Sequence, residues 1–310
     1  MLEIGYKKTA GAYLYDGLHG KAIITPNVVE FKSVQCVPNV QELIKRISKE
    51  EYIDLRTGEI MEYNHGDNKA NNIQSLKRSF QKARMLINNN FSGGSNELMI
   101  TLTYSENMTS VERLYIDMDK FYKKIKYNYG KIEYMTAIEP QRRGAWHAHI
   151  LMRFEEHKSI FIPNKDIASI WKHGYTVTKR LERIDDVGFY YLAYLTDVEL
   201  TDETKDIKGE IVTKKIDEEN GTKTDKKFIK GARLHMYPCN MKVFRHSRGL
   251  KQPKKVDITY NELCNMISRK MPDYSTTIVI SKKEDNKILN IVKYASFNTK
   301  RKRDDNNAKT

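Results

Sequence analysis

Between Leu98 and Leu181 the chain changes hydrophobic period five times, and that succession limits what it can fold into. Leu98–Tyr104, "LMITLTY", reads as a buried strand. Ser110–Tyr127 carries Leu114, Met118, Phe121 and Ile125 at helical spacing, so one stripe of an amphipathic helix is apolar. Lys131–Glu139 and Ala145–Phe154 read as strands on either side of the short loop "PQRRGA". Lys165–Lys172 is a short helix ending near Gly174, and Tyr175–Leu181 a fourth strand. The order β-α-β-β-α-β predicts an α+β fold of the ferredoxin/RRM-like kind, an antiparallel sheet with its helices on one face. Asp186–Thr196, "DVGFYYLAYLT", reads as a further helix.

The third strand of this block holds an anomaly. In "EPQRRGAWHAHILM", His147 and His149 interrupt an otherwise apolar run. Two apart on a strand, they point to the same face, while Trp146, Ala148, Ile150 and Met152 point to the other. Two neutral imidazoles so placed can chelate one divalent ion. If the Pro140–Ala145 loop closes a hairpin, Glu139 falls opposite His147 and supplies a carboxylate. Such mixed ligation leaves positions open for water or a phosphate oxygen and suits Mg²⁺ or Mn²⁺ better than a closed zinc site. The alternative is two polar residues on the wet face of a strand. On the helix that follows the fourth strand, Tyr190 and Tyr194 stand one turn apart, and Tyr191 is three residues from Tyr194. Either they pack the helix on the sheet, or a hydroxyl attacks a phosphodiester.

The rest of the chain divides by composition. Residues 1–96 form an N-terminal extension of short strands, a helix around Val40–Lys49 and a basic amphipathic helix over 69–90. Residues 97–200 are the core just described. Residues 201–231, in which opposite charges nearly balance and apolar residues are sparse, are an exposed hairpin or mobile insertion. Residues 232–297 are a basic C-terminal extension that ends in a hairpin around Glu284-Asp285-Asn286, and 298–310 are a disordered tail.

Lys plus Arg number 54 against 40 Asp plus Glu, a net charge of +14 that suits a polyanionic partner. Nineteen tyrosines offer rings on which single-stranded bases stack. Composition of an AT-rich kind would produce the same Tyr, Lys, Asn and Ile bias. The three cysteines form no CxxC, which points to a reducing compartment and away from a cysteine zinc site. No window approaches the roughly 20 apolar residues of a membrane span, and "MLEIGYKKTAGAYLYDG" has no apolar stretch of signal-peptide length. A cytoplasmic protein with no membrane partner is expected.

Taken together, "ITLTY", "EPQRRGAWHAHILM" and "VGFYYLAYLTD" resemble the three motifs of the HUH endonuclease superfamily, in particular the rolling-circle replication initiators of bacterial plasmids and phages. The resemblance covers about a third of the chain. It implies Glu139, His147 and His149 as metal ligands and Tyr190 as the nucleophile, with Tyr194 as a second tyrosine; a register one residue later makes Tyr191 the nucleophile. It implies a divalent metal cofactor, single-stranded or hairpin origin DNA as substrate, and Arg142, Arg143, Lys179, Arg180, Arg245, Arg248 and Lys251 as DNA contacts. Two departures stand out. The residue between the histidines is Ala148 where the family has a bulky one, and the lysine three residues after the nucleophile is Ala193 or Tyr194 here. The loss of that lysine opens the alternative of a weakened or inactive nuclease that regulates by binding DNA. A relaxase or transposase of the same superfamily is the other alternative. No G-x-x-x-x-G-K-[ST] loop is present, since Gly20-Lys21 lacks the rest, so a host helicase would open the duplex and a host polymerase extend the 3′ end.

Overall fold

The computed structural model describes residues 4–36, 44–55, 57–63, 73–141, 143–181, 187–188, 198–199, 211–217, 223–229, 233–239 and 241–300. Along the chain run β1 (Ile4–Ala10), β2 (His19–Ile24), β3 (Val28–Val34), β4 (Ile44–Arg46), β5 (Glu51–Asp54), β6 (Ile60–Glu62) and α1 (Ile73–Asn90). The middle holds β7 (Glu97–Thr103), α2 (Val111–Tyr129), β8 (Ile132–Pro140), β9 (Trp146–Phe154), α3 (Asn164–Trp171) and β10 (Thr176–Arg180). Then follow β11 (Val198–Glu199), β12 (Ile211–Asp217), β13 (Lys223–Ile229), β14 (Phe244–His246), β15 (Lys254–Thr259), α4 (Tyr260–Ile267), β16 (Tyr274–Lys282) and β17 (Ile288–Asn298). The chain separates into two compact units, Met1–His65 with Pro253–Thr310, and Gly66–Gln252.

The second unit contains the expected α+β fold. Its five-stranded sheet has the order β10-β7-β9-β8-β14 with every pairing antiparallel. The four strands of the β-α-β-β-α-β block thus stand in the order fourth, first, third, second, the ferredoxin-like arrangement. Helix α2 starts where the Ser110 side chain accepts from the Arg113 N–H at 3.2 Å, and ends at Gly130, whose φ of 80° only glycine adopts easily. Its buried stripe of Leu114, Met118, Phe121 and Ile125 packs with α3 residues Ile167, Ile170 and Trp171. Together they cover Ile100, Leu102, Trp146, Ala148, Ile150 and Met152 on one face of the sheet. The hydrophobic burial of that face is the main stabilising contribution in the unit.

The other face is divided. Ala83, Leu86 and Ile87 of α1 cover Met135, Ala137 and Leu151, while the histidine end of β9 lies beyond them. The described part of the basic helix runs over Ile73–Asn90, and residues 69–72 lie outside the described residues. The charged insertion contains an antiparallel hairpin, β12 with β13, joined by β11 into a three-stranded sheet.

In the first unit a six-stranded antiparallel sheet has the order β1-β16-β17-β3-β2-β15. The segments divided in the sequence into N- and C-terminal extensions therefore pair with each other, as Phe31 opposite Ala295 illustrates. Helix α4 begins with a reciprocal Thr259–Glu262 cap and buries Leu263 and Cys264 against Phe31 and Phe297. The helix expected around Val40–Lys49 is not what the described part of that segment forms. Ile44–Arg46 is a strand paired with Glu51–Asp54. The Ser48 hydroxyl accepts from the Glu50 and Glu51 N–H groups at 3.1 and 2.9 Å, a turn that competes with helix and folds the chain back. The final hairpin of the sequence is β16 with β17, longer than expected, and Asn298 of the expected tail is its last strand residue; residues 301–310 lie outside the described residues.

Candidate metal centre and DNA-cleavage site

The loop between β8 and β9 closes tightly. The Gln141 N–H donates to the Ala145 carbonyl and the Gly144 N–H to the Gln141 carbonyl, each at 2.8 Å, with Gly144 at a φ of 89°. This turn sets the register that puts Glu139 opposite His147. On the other side of β9, Thr103 pairs with His147 and Thr101 with His149. All five side chains stand on one face of the sheet, because cross-strand partners share a face.

Each imidazole is tethered by a threonine of β7. Thr103 Oγ1 lies 2.8 Å from Nδ1 of His147, and Thr101 Oγ1 lies 3.2 Å from Nδ1 of His149. These contacts explain why the "ITLTY" segment accompanies the histidines: its threonines orient the rings. The ring centroids are 4.5 Å apart. His149 Nε2 lies 3.2 Å from Glu139 Oε2. Burial holds both histidines neutral, with the His147 pKa pushed down to about 3 by burial and then by His149, and that of His149 to about 4. With Nδ1–H donating to threonine, each Nε2 presents a lone pair; with the other tautomer, His149 donates to Glu139 instead.

A residue that sequence reasoning missed completes the site. Arg233 forms an ion pair with the second oxygen of Glu139. It is 94 positions further along the chain, beyond the charged insertion, and its only sequence signal is an isolated arginine in "KGARLHM". Its Nε is buried without a partner. Arg143 is steered toward the same opening, with Nη1 donating to the Ser105 carbonyl at 3.1 Å and Nε to Gln141 Oε1 at 3.2 Å. Glu139, Gln141, Arg143, His147 and Arg233 line a cleft of about 850 Å³. The wall is thus made of one carboxylate, one uncharged imidazole and two guanidiniums, a combination that attracts a phosphate while keeping lone pairs for a cation.

The donor set suits a divalent metal: two uncharged imidazoles oriented through Nδ1, and a carboxylate beside them. Arg233 occupies one Glu139 oxygen, and among the described residues no three His, Cys, Asp or Glu side chains are disposed to hold a metal ion as they stand. Release of Glu139 from Arg233 would free the carboxylate for that role.

The remaining expected DNA contacts are scattered. Lys179 is exposed on β10 and, through its pairing with Met99, shares the histidine face. Arg180 is on the opposite face. Arg245 faces α2, where it lies 4.3 Å from the Tyr115 ring centroid and 3.4 Å from Asp119. Arg248 and Lys251 are exposed, and the Lys251 backbone is bonded to Asn90 at the end of α1. Arg142, Tyr190, Tyr191, Ala193 and Tyr194 lie outside the described residues. The segment that leads to the tyrosines does dock on the histidine face. Val187 is buried with Ala83, Leu86, Met135 and Leu151, and the Gly188 N–H donates to Asn88 Oδ1 at 2.7 Å.

This geometry has two measurable consequences. A Cβ on Gly188 would stand 2.6 Å from Asn88 Oδ1 and 2.8 Å from the Arg84 carbonyl. Gly188→Ala is therefore expected to destabilise by roughly 1–3 kcal/mol, the usual cost of overpacking, read as a lower urea midpoint with unchanged slope. The second consequence concerns pH in the metal-free protein. The unfolded histidines take up protons near pH 6.5, whereas the folded ones do so only near 3 and 4. Between those limits the unfolded state binds more protons, so stability falls as pH drops below about 6.5, by up to ~1.4 kcal/mol per unit for each histidine. Urea midpoints at pH 7 and pH 5 should differ more for the wild type than for His147→Gln/His149→Gln.

Among the described residues no helix is long and apolar enough to cross a membrane. No curated protein matches the chain. Over residues 97–199, the stretch from β7 through β11 that holds Glu139, His147 and His149, the chain is similar to a family of replication-associated proteins of the ORF2 type, a match over about a third of its length.

Proposed function

We propose that the protein is a rolling-circle replication initiator of the HUH kind, which nicks one strand of plasmid or phage origin DNA in the cytoplasm. The observation that carries this reading is the pair of uncharged imidazoles, each tethered to a β7 threonine, beside Glu139 at the head of a cleft with two arginines. A tyrosine hydroxyl of the segment after Gly188, Tyr190 or Tyr191, attacks the scissile phosphorus. A new O–P bond forms to the tyrosine, the bond from phosphorus to the 3′ oxygen breaks, and that oxygen leaves as a 3′ hydroxyl after gaining a proton. The product is a 5′-phosphotyrosine link and a free 3′ end for a host polymerase, with a host helicase opening the duplex. Tyr194 serves a second transfer.

His147, His149 and Glu139 would hold Mg²⁺ or Mn²⁺, which supplies a Lewis acid for the phosphate oxygens. Arg143 binds the phosphate and positions it in line with the tyrosine. Arg233 takes up charge developing on the phosphate once Glu139 has turned away, and so offsets the absence of a motif lysine at Ala193. The test is a nicking assay on a labelled single-stranded oligonucleotide carrying the origin. Cleavage with Mg²⁺ or Mn²⁺ that EDTA abolishes supports the reading; cleavage indifferent to EDTA refutes the metal's part in it.

A DNA-binding regulator without cleavage is the second reading, favoured by the Arg233–Glu139 ion pair, which neutralises the carboxylate internally. It predicts origin binding that is insensitive to metal and leaves the oligonucleotide intact.

A further inference from the structure

The six-stranded sheet of the first unit has a face that the α4 core does not use. The α4 side is identified by Phe31, Ala295 and Phe297 in its core. Residues of opposite parity point away from it, and the pairing registers bring Tyr6, Lys8, Tyr274, Lys282, Tyr294 and Lys32 to that second face. Tyr6 and Tyr274 are 72% and 46% exposed, which is high for residues in the middle and at the start of paired strands. The Lys8 ammonium lies 5.8 Å from the Tyr274 ring centroid, and the Tyr274 and Tyr294 rings are 6.1 Å apart. Half-buried Ile278, Ile280 and Val292 form the floor between them. Of the acidic residues on this face, Glu30 is buried and Asp257 lies 3.9 Å from Lys21 at the far edge.

We propose that this sheet face is a binding platform for single-stranded nucleic acid, separate from the histidine-bearing sheet. Exposed tyrosines stand with lysines beside them on a flat, rigid surface, and each of the two elements has a ligand counterpart. The rings offer π-faces to unpaired bases, and the lysines at the margins pair with the phosphates between them. A double helix is excluded from the stacking, because its base faces are already occupied by one another. An apolar protein partner would leave the lysines desolvated without counter-charge. The platform carries no base-edge readout, so binding tolerates any sequence.

The test uses the full-length chain and a fluorescein-labelled oligothymidylate with no origin sequence, read by anisotropy. Tyr6→Ala with Tyr274→Ala is expected to weaken binding by roughly tenfold per ring removed, and the corresponding Phe changes to leave it within about twofold, since phenylalanine stacks as well. Lys8→Ala with Lys32→Ala should reduce the slope of log affinity against log salt by about 0.7 per lysine. Thermal unfolding of each variant shows whether the unit has kept its fold; wild-type midpoints are expected because the side chains are on the surface. Origin nicking should persist in the Tyr6→Ala/Tyr274→Ala variant, so failure here is distinguishable from failure of the cleavage reading. Wild-type affinity in the folded alanine variants, or equal affinity for blunt duplex DNA, would overturn the platform.

Discussion

His147→Ala is expected to lower the rate of origin cleavage by at least about 100-fold while leaving DNA affinity near that of the wild type. The lower bound comes from the 10- to 100-fold losses usual when a residue merely supporting a metal ligand is removed, whereas His147 would itself be a ligand. The reason lies in its charge. Burial pushes its pKa down to about 3, so at neutral pH the ring carries no charge and cannot act as a cation toward phosphate. Only its Nε2 lone pair is left to contribute, because Nδ1 is engaged by Thr103. Lysine at position 147 should therefore fail to restore activity, whereas a site that used histidine as a positive charge would accept it. His149→Ala should behave alike. Thr103→Val, which keeps the shape and removes the tether, should lose roughly 10- to 100-fold. Single-turnover cleavage and anisotropy on the same oligonucleotide separate the two effects; activity retained in His147→Gln would count against the metal role.

The second large effect concerns the tyrosines. Changing Tyr190, Tyr191 and Tyr194 together to Phe removes three hydroxyl oxygens and little else, so the covalent adduct should fall below detection while binding persists. The single changes divide the roles. Either Tyr190→Phe or Tyr191→Phe should abolish the first transfer and the other should spare it, because only one of two neighbours on a helix can face the cleft. Tyr194→Phe should allow the first cleavage and reduce joining of the released end. An adduct that survives the triple change would remove the tyrosine from the mechanism.

The block from β7 to β10 was legible because each of its elements follows a local rule. Alternation placed Trp146, Ala148 and Ile150 on one face and the histidines on the other, and a short loop left few registers for Glu139. Ser110 and Gly130 mark the limits of α2 by capping chemistry that depends only on neighbouring residues. What was not legible depends on distance along the chain. Nothing local pairs Phe31 with Ala295, and nothing local brings Arg233 to Glu139. The segment after Val40 misleads for a related reason. Ile44 and Ile47 have helical spacing, and a single serine hydroxyl at position 48, by bonding two amides, favours a hairpin there. For Arg245, the basic character of "VFRHSRGLK" suggested a phosphate contact, but position in a strand decides the direction of a side chain. Its pairing with Thr136 turns it toward α2, Tyr115 and Asp119, away from the histidines.

At the centre of the proposed reaction, a tyrosine close after Gly188 becomes joined to DNA through the Glu139–His147–His149 site. The most direct measurement is mass spectrometry of the trapped adduct after nuclease and tryptic digestion. The three tyrosines fall in one tryptic peptide, residues 184–205, bounded by Arg183 and Lys205. The predicted result is a nucleotide mass on that peptide, fragmenting to Tyr190 or Tyr191, present with Mg²⁺ or Mn²⁺ and absent from the His147→Ala protein. A nucleotide on any other peptide, or the same adduct in His147→Ala at wild-type yield, would contradict it.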